Sequence, residues 1–139
     1  MQRGVEEIRG ADTGLRQYPH RDITERIIGC AIAVHRELHG GYQEIIYENA
    51  LSHEMGKAGL SFQRQGCLPV YYDGQLVGEH RADIIVEGKV VVELKAVTDT
   101  TDQHVSQVMS TMRAAGAKIG LLINFNEARL VQGVQRIIM

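Results

Sequence analysis

The sequence predicts an α/β domain in which helices flank a mixed β-sheet, with elements in the order α-α-β-β-β-β-α-β-β. Three observations carry this. Apolar residues recur at helical spacing between Ile23 and Leu38. The middle of the chain holds valine-rich and alternating segments punctuated by Asp73-Gly74 and Glu87-Gly88. A strand–helix–strand run then spans Glu93 to Ile123. The 139 residues suit one domain, and a 44% hydrophobic content supplies a core that a disordered chain would lack.

Residues 1–21 contain Gly4, Gly10, Gly14 and Pro19 without a sustained apolar period, which predicts a flexible or loosely docked N-terminal arm before a domain over 22–139. Ile27, Ala31, Val34 and Leu38 then mark one face of a helix, with Asp22 or Thr24 as its N-cap and Gly40-Gly41 as its stop. A second helix is expected over 42–58, with Ile46, Ala50, Leu51 and Met55 inward and Gly59 at its end. Leu60–Arg64 and Leu68–Tyr72 read as two strands, and Asp73-Gly74 as a hairpin turn into a strand over 75–86. The run Val90–Val97 is the clearest strand, because β-branched side chains fit a pleated surface. A third helix is expected over 102–115, ending at Gly116, followed by a buried strand over 118–125 and one or two short strands over 130–138. The strand–helix–strand step predicts a right-handed crossover between parallel strands, with the rest of the sheet antiparallel.

Composition narrows the function. Fifteen Lys and Arg against 17 Asp and Glu leave a formal charge of −2, which speaks against a basic nucleic-acid coat protein but not against an enzyme with a local basic surface. With no Trp and 5% aromatic residues, a stacking platform for single strands is poorly supplied. Cys30 and Cys67 form no CxxC pair, which excludes a four-thiolate zinc site; two reduced, buried thiols are expected, with a disulfide allowed on parity alone. Residues 1–20 carry no signal-peptide pattern, and no apolar run approaches the ~20 residues of a membrane span, so a soluble cytoplasmic protein is expected.

The segment from Asp83 to Lys95 is the most informative. Two carboxylates and a lysine interrupt an apolar hairpin, where charge is costly unless paired or metal-bound. Glu93 and Lys95 are two apart and share a strand face. Whether Asp83 joins them depends on the turn. A two-residue loop at Glu87-Gly88 would put Asp83 on the opposite face. A three-residue loop, Val86-Glu87-Gly88 with Gly88 left-handed, would pair Ile85 with Lys89 and put Asp83 opposite Val91, on the shared face. The second is favoured, because two-residue turns prefer Asn-Gly or Asp-Gly. Two carboxylates beside a lysine suit Mg²⁺-assisted phosphodiester hydrolysis: oxygen ligands hold the ion, and the ammonium orients water or stabilises developing charge. An ion pair on a solvated face is the competing reading of the same spacing.

Asp83 followed by Glu93-Leu94-Lys95 resembles the Asp…(Asp/Glu)-x-Lys signature of the PD-(D/E)xK nuclease superfamily, with Ala82 where the motif name has proline. Upstream, Gly41-Tyr42-Gln43-Glu44-Ile45-Ile46-Tyr47-Glu48 reads as GxxExxYE and resembles the GxxExxY family, a compact branch of that superfamily. Ile32–Leu38, Glu93–Val97 and Gly120–Phe125 agree with it, so the resemblance covers residues 22–139. It implies a restriction-endonuclease-like fold and a nuclease using Mg²⁺ or Mn²⁺ on DNA or RNA. By position, Asp83, Glu93, the Leu94 carbonyl and Glu44 would be metal ligands, Glu44 directly or through water. Lys95 would be catalytic together with Asp83, Glu93 and Glu44. Gln107 resembles the glutamine of the QxxxY motif and would bind substrate along with Tyr47; Thr111 stands where that motif has tyrosine.

Other histidines invite different readings. His35 and His39 have the i, i+4 spacing of zinc helices, but Arg36 follows the first His where metalloproteases have glutamate. His35 is expected to pack near the second helix, within reach of its acids, and His104 to lie on the surface. Two function classes remain: a small Mg²⁺-dependent nuclease, and a non-catalytic domain of the same fold that binds nucleic acid or protein. A homodimer fits both, since the sheet must end in an edge and two strands need two cuts.

Overall fold

The structure, a computed structural model, describes residues 6–9 and 18–139. Six strands form one sheet, β1 (Glu6–Arg9), β2 (Phe62–Tyr72), β3 (Gln75–Val86), β4 (Val90–Lys95), β5 (Ile119–Asn124) and β6 (Val134–Ile138), in the spatial order β1-β6-β5-β4-β3-β2. Helices α1 (Arg21–Leu38) and α2 (Glu44–Lys57) cover one face, and α3 (Asp102–Ala115) covers the other. Only β4 and β5 are parallel, joined by the α3 crossover; every other neighbour is antiparallel. The expected α/β class and mixed sheet are therefore present.

One element lies where the sequence predicts an arm. Residues 6–9 pair antiparallel with β6, Glu6 opposite Ile138 and Arg9 opposite Gln135, and extend the sheet by a strand. The rest of the expected arm before Tyr18 lies outside the described residues. Tyr18 is buried in the α1 core, and Arg21 already belongs to the helix.

Helix α1 buries Ile23, Ile27, Ala31 and Val34, as its spacing requires. Its N-cap is His20, in the left-handed region at φ 54°, rather than Asp22 or Thr24. Asp22 sits in the first turn, where a carboxylate complements the helix dipole. Thr24 is buried and returns its hydroxyl to the Arg21 carbonyl at 3.1 Å. Helix α2 buries Leu51 and Met55 as expected, but its inward stripe begins at Tyr47 rather than Ile46. Tyr47, Leu51 and Met55 are fully buried, with Glu48 and Ser52 beside them, whereas Ile46 is exposed. The buried stripe runs at spacings of four from Tyr47, whose ring stacks on Phe125 at a centroid distance of 4.5 Å.

The two strands expected over 60–72 are one. Strand β2 runs through Gln65, which adopts φ 53°, and the ladder with β3 skips the Gln65–Asp83 position. A local kink therefore replaces a break. At the far end Tyr72 pairs with Gln75, and Asp73 and Gly74 both take positive φ, the two-residue hairpin that Asp-Gly favours. Most of this β2–β3 ribbon is exposed on both sides.

The core has two parts. Val90, Val92 and Leu94 of β4 join Ile84, Ile119, Leu121 and Ile123 under α1 and α2. Val91, Leu122 and Ile137 pack under Val105, Val108 and Met112 of α3. Gly120 lets α3 approach: a Cβ there would lie 2.6 Å from Val108 Cγ1 and 2.8 Å from Met112 Sδ. Gly120→Ala is expected to destabilise the fold by about 1–3 kcal/mol through overpacking, read as a lower urea midpoint with an unchanged slope.

Candidate active site at the fork of the central strands

Alternation along β4 decides which side chains meet. Val90, Val92 and Leu94 face α1 and α2, so Val91, Glu93 and Lys95 face α3. The β3–β4 hairpin decides whether Asp83 joins them. Glu87 and Gly88 both take positive φ, and the Lys89 N–H donates to the Val86 carbonyl at 3.0 Å. Val86 then pairs with Val90, leaving Lys89 as a bulge. The turn thus lies one residue later than expected: Ile85 pairs with Val91 rather than with Lys89, and Asp83 falls level with Glu93 rather than with Val91. A shift of two in pairing keeps the parity, so Asp83 still shares the face of Glu93 and Lys95. The ladder ends at Ile84–Val92, and the strands part beside the two carboxylates.

At this fork Asp83 Oδ2 accepts a hydrogen bond from the Leu94 N–H at 3.2 Å. Its carboxyl group also meets that of Glu93 within hydrogen-bonding reach. Glu93 is buried, and burial first, then the hydrogen bond and charge of Asp83, push its pKa up to about 8. The Thr111 hydroxyl acts in the opposite sense, donating to Glu93 Oε1 at 3.2 Å. Thr111 itself is buried and touches His80 Nε2 at 2.6 Å. A chain of contacts therefore leads from Glu93 through Thr111 to the β2–β3 ribbon.

Lys95, half-buried, follows on the same face, and its ammonium makes no ion pair or hydrogen bond among the described residues. The Lys95 carbonyl accepts from Phe125 N–H on the β5 side, so by alternation the Leu94 carbonyl points the other way, into the gap beside Asp83. Asn124 fixes this end of the sheet. Its buried side chain accepts from Val97 N–H at 3.1 Å and donates to Val97 O at 2.8 Å. Helix α3 runs antiparallel to β4, so one helical turn back from Thr111 brings exposed Gln107 to the level of Lys95.

Two expected members stand elsewhere. Glu44 is exposed at the first residue of α2, and among the described residues no group of three His, Cys, Asp or Glu side chains converges. The fork thus brings Asp83 and Glu93 together without Glu44, whose place at a helix N-terminus complements the dipole. Tyr47 is fully buried, its hydroxyl donating to the His39 carbonyl at 2.5 Å and accepting from Tyr42 N–H at 3.2 Å. With no exposed surface and both hydrogen-bonding roles taken, it braces the α1–α2 loop rather than meeting substrate.

The helical acid that reaches the sheet is Glu48, one turn after Glu44. Buried Glu48 binds Arg64 at 2.7 Å and accepts from the Gln65 amide at 2.8 Å, at the position where the ladder skips Asp83. In the sequence it closes the same GxxExxYE block that carries Glu44. Thr111 and His80 gave no comparable signal, because their link to Glu93 depends on how α3 and the ribbon pack. His35 bonds the Glu127 carbonyl at 2.8 Å rather than an acid of α2, and His104 completes a capping box with Thr101 at the start of α3. Cys30 is buried and Cys67 is exposed, both free, so only one of the two thiols is buried as expected.

Two converging carboxylates and a nearby backbone carbonyl are hard oxygen donors. Burial first, and then the neighbouring Asp83 carboxyl, oppose ionisation of Glu93, a cost that a divalent cation would relieve, so the set fits an ion that keeps several waters. The same shift predicts a pH dependence. With its folded-state pKa raised, Glu93 contributes stability that is full below the ordinary carboxyl range and is lost as pH rises towards 8. In chelator, urea-unfolding stability is expected to fall between about pH 5 and 8. Glu93→Gln should flatten that slope, and an unchanged slope would refute the assignment.

The family model of the PD-(D/E)XK nuclease superfamily matches residues 21–137, which contain α1 to β6 and every side chain of the fork. No curated protein and no solved structure matches the chain significantly. No helix among the described residues is long and apolar enough to cross a membrane. The match spans most of the sequence, and its strands carry Asp83 and Glu93-Leu94-Lys95 to one fork; the chain belongs to the PD-(D/E)XK nuclease superfamily.

Proposed function

We propose that this protein is a Mg²⁺- or Mn²⁺-dependent nuclease of the GxxExxY branch that hydrolyses phosphodiester bonds in DNA or RNA. The observation that carries the reading is the convergence of Asp83 and Glu93 on the face that also bears Lys95. In this reading Asp83, Glu93 and the Leu94 carbonyl bind the cation. A bound cation supplies an acidified water and neutralises phosphate oxygens. Ionised to hold a cation, the Glu93 carboxylate would be supported by the Thr111 hydroxyl. The Lys95 ammonium, unpaired among the described residues, orients the attacking water and stabilises charge in the transition state. Gln107, exposed at the level of Lys95, holds the substrate.

A second reading, a non-catalytic nucleic-acid- or protein-binding domain, is favoured by one fact: among the described residues no third acidic side chain joins Asp83 and Glu93. A cleavage panel separates the two. Wild type is expected to cut at least one of single-stranded, duplex or branched DNA, or RNA, with Mg²⁺ or Mn²⁺. Lys95→Ala should be slower by about 10²-fold or more, with divalent-ion binding retained in calorimetry. Equal rates in both proteins would sink the catalytic reading.

A further inference from the structure

A cleft of about 590 Å³, within the range of small-ligand sites, lies between the β2–β3 ribbon and α3 and runs from His80 towards the ribbon tip. Pro69, Val70 and Tyr71 line it from the ribbon, and Ser110 and Arg113 from the helix. His80 forms part of its wall and also touches Thr111, the residue bonded to Glu93. The cleft is therefore two polar contacts from the carboxylate pair. Its contents are unlike a solvated crevice. Tyr71 is 64% exposed, though most large apolar side chains of the chain are buried. Arg113 is exposed in the last turn of α3, with its guanidinium donating to the Ser110 hydroxyl at 3.3 Å. The chain has five tyrosines. Two are buried and Tyr42 is exposed before α2, whereas Tyr71 and Tyr72 stand at the ribbon tip with exposed Leu76 and Val77.

We infer that this cleft is a binding subsite for an unpaired nucleotide a few positions along the strand from the bond at the fork, so that the substrate is single-stranded there. The inference rests on the nuclease reading for its position but not for its chemistry. An exposed phenol ring offers a face on which any base can stack once it is unpaired, and a duplex keeps its bases stacked on each other. The Arg113 guanidinium and the Ser110 hydroxyl supply phosphate contacts on the facing wall. An apolar wall with a cation opposite suits a base and its phosphate together.

The test uses Lys95→Ala protein with Mg²⁺, so that the strand survives, and a fluorescent ten-nucleotide single strand followed by anisotropy. Tyr71→Ala added to that background is expected to weaken binding about tenfold, and Tyr71→Phe to leave it unchanged. Arg113→Ala should weaken binding and reduce the slope of log K against log salt by about 0.7. In protein that keeps Lys95, Tyr71→Ala should raise KM and leave kcat. Unchanged binding in both Tyr71→Ala and Arg113→Ala would overturn the subsite, even if wild type cleaves. Duplex bound as tightly as single strand with no effect of Tyr71 would also overturn it. So would sedimentation showing a dimer that Tyr71→Ala converts to monomer, since the tip would then be covered by a second copy. Tyr71-dependent binding without cleavage by wild type would support the subsite and refute the nuclease reading. Absence of binding would overturn the subsite itself.

Discussion

A buried carboxylate placed against another carboxylate is the constraint around which the rest is arranged. Glu93 lies on a strand whose other residues from Val90 to Leu94 are apolar and buried, and Asp83 stands beside it. Taken alone, this is an unfavourable arrangement: burial and like charge both oppose ionisation. The fold tolerates it because the surroundings supply directed hydrogen bonds. The Leu94 amide is given to Asp83, and the Thr111 hydroxyl to Glu93. The locally unfavourable pair coincides with the Asp…Glu-x-Lys pattern read from the sequence. Perturbed ionisation at a site with a stated geometric cause is the usual mark of function.

Several distant features serve that pair. The Glu87-Gly88 turn and the Lys89 bulge set the parity that brings Asp83 to the α3 side. The kink at Gln65, with the missing ladder position at Asp83, opens β3 from its neighbours. Gly120 lets α3 settle close enough for Thr111 to reach Glu93. Asn124 ties the exit of β4 to that of β5 and so holds the strand end that carries Lys95. On the other face, Glu48 anchors α2 to β2 through Arg64 and Gln65. That ion pair is buried on its acidic side, so removing either partner would leave a charge uncompensated.

The charge balance also takes on a location. A formal charge of −2 spread evenly would repel a polyanion weakly everywhere. The acids are not spread evenly: Glu48 is paired with Arg64, and Asp83 and Glu93 face each other inside the fork. Cations such as Lys95 and Arg113 remain towards the α3 side. A slightly acidic chain can therefore present a surface that accepts a phosphate locally while lacking the broad positive field of a coat protein.

The sequence by itself determined the α/β class, the parallel crossover, both hairpins and the identity of Asp83, Glu93 and Lys95. These depend on local rules: helical spacing, β-branched runs, turn chemistry and the period of two along a strand, which survive whatever the chain packs against. The β1 strand was not legible, because Glu6–Arg9 lacks an alternating pattern and is stable only on the edge that β6 offers. The inward stripe of α2 was misjudged because Tyr47, amphipathic in sequence, finds Phe125 and the loop carbonyl of His39 only in the folded core. The same packing separates Glu44 from Glu48, two acids one turn apart, and gives the buried place to the second. Thr111 and His80 belong to the site through contacts between elements far apart in the chain. Residue types and spacings name the groups able to do chemistry; only tertiary packing decides which of them share one desolvated space, because burial and hydrogen-bond direction are properties of the assembled faces.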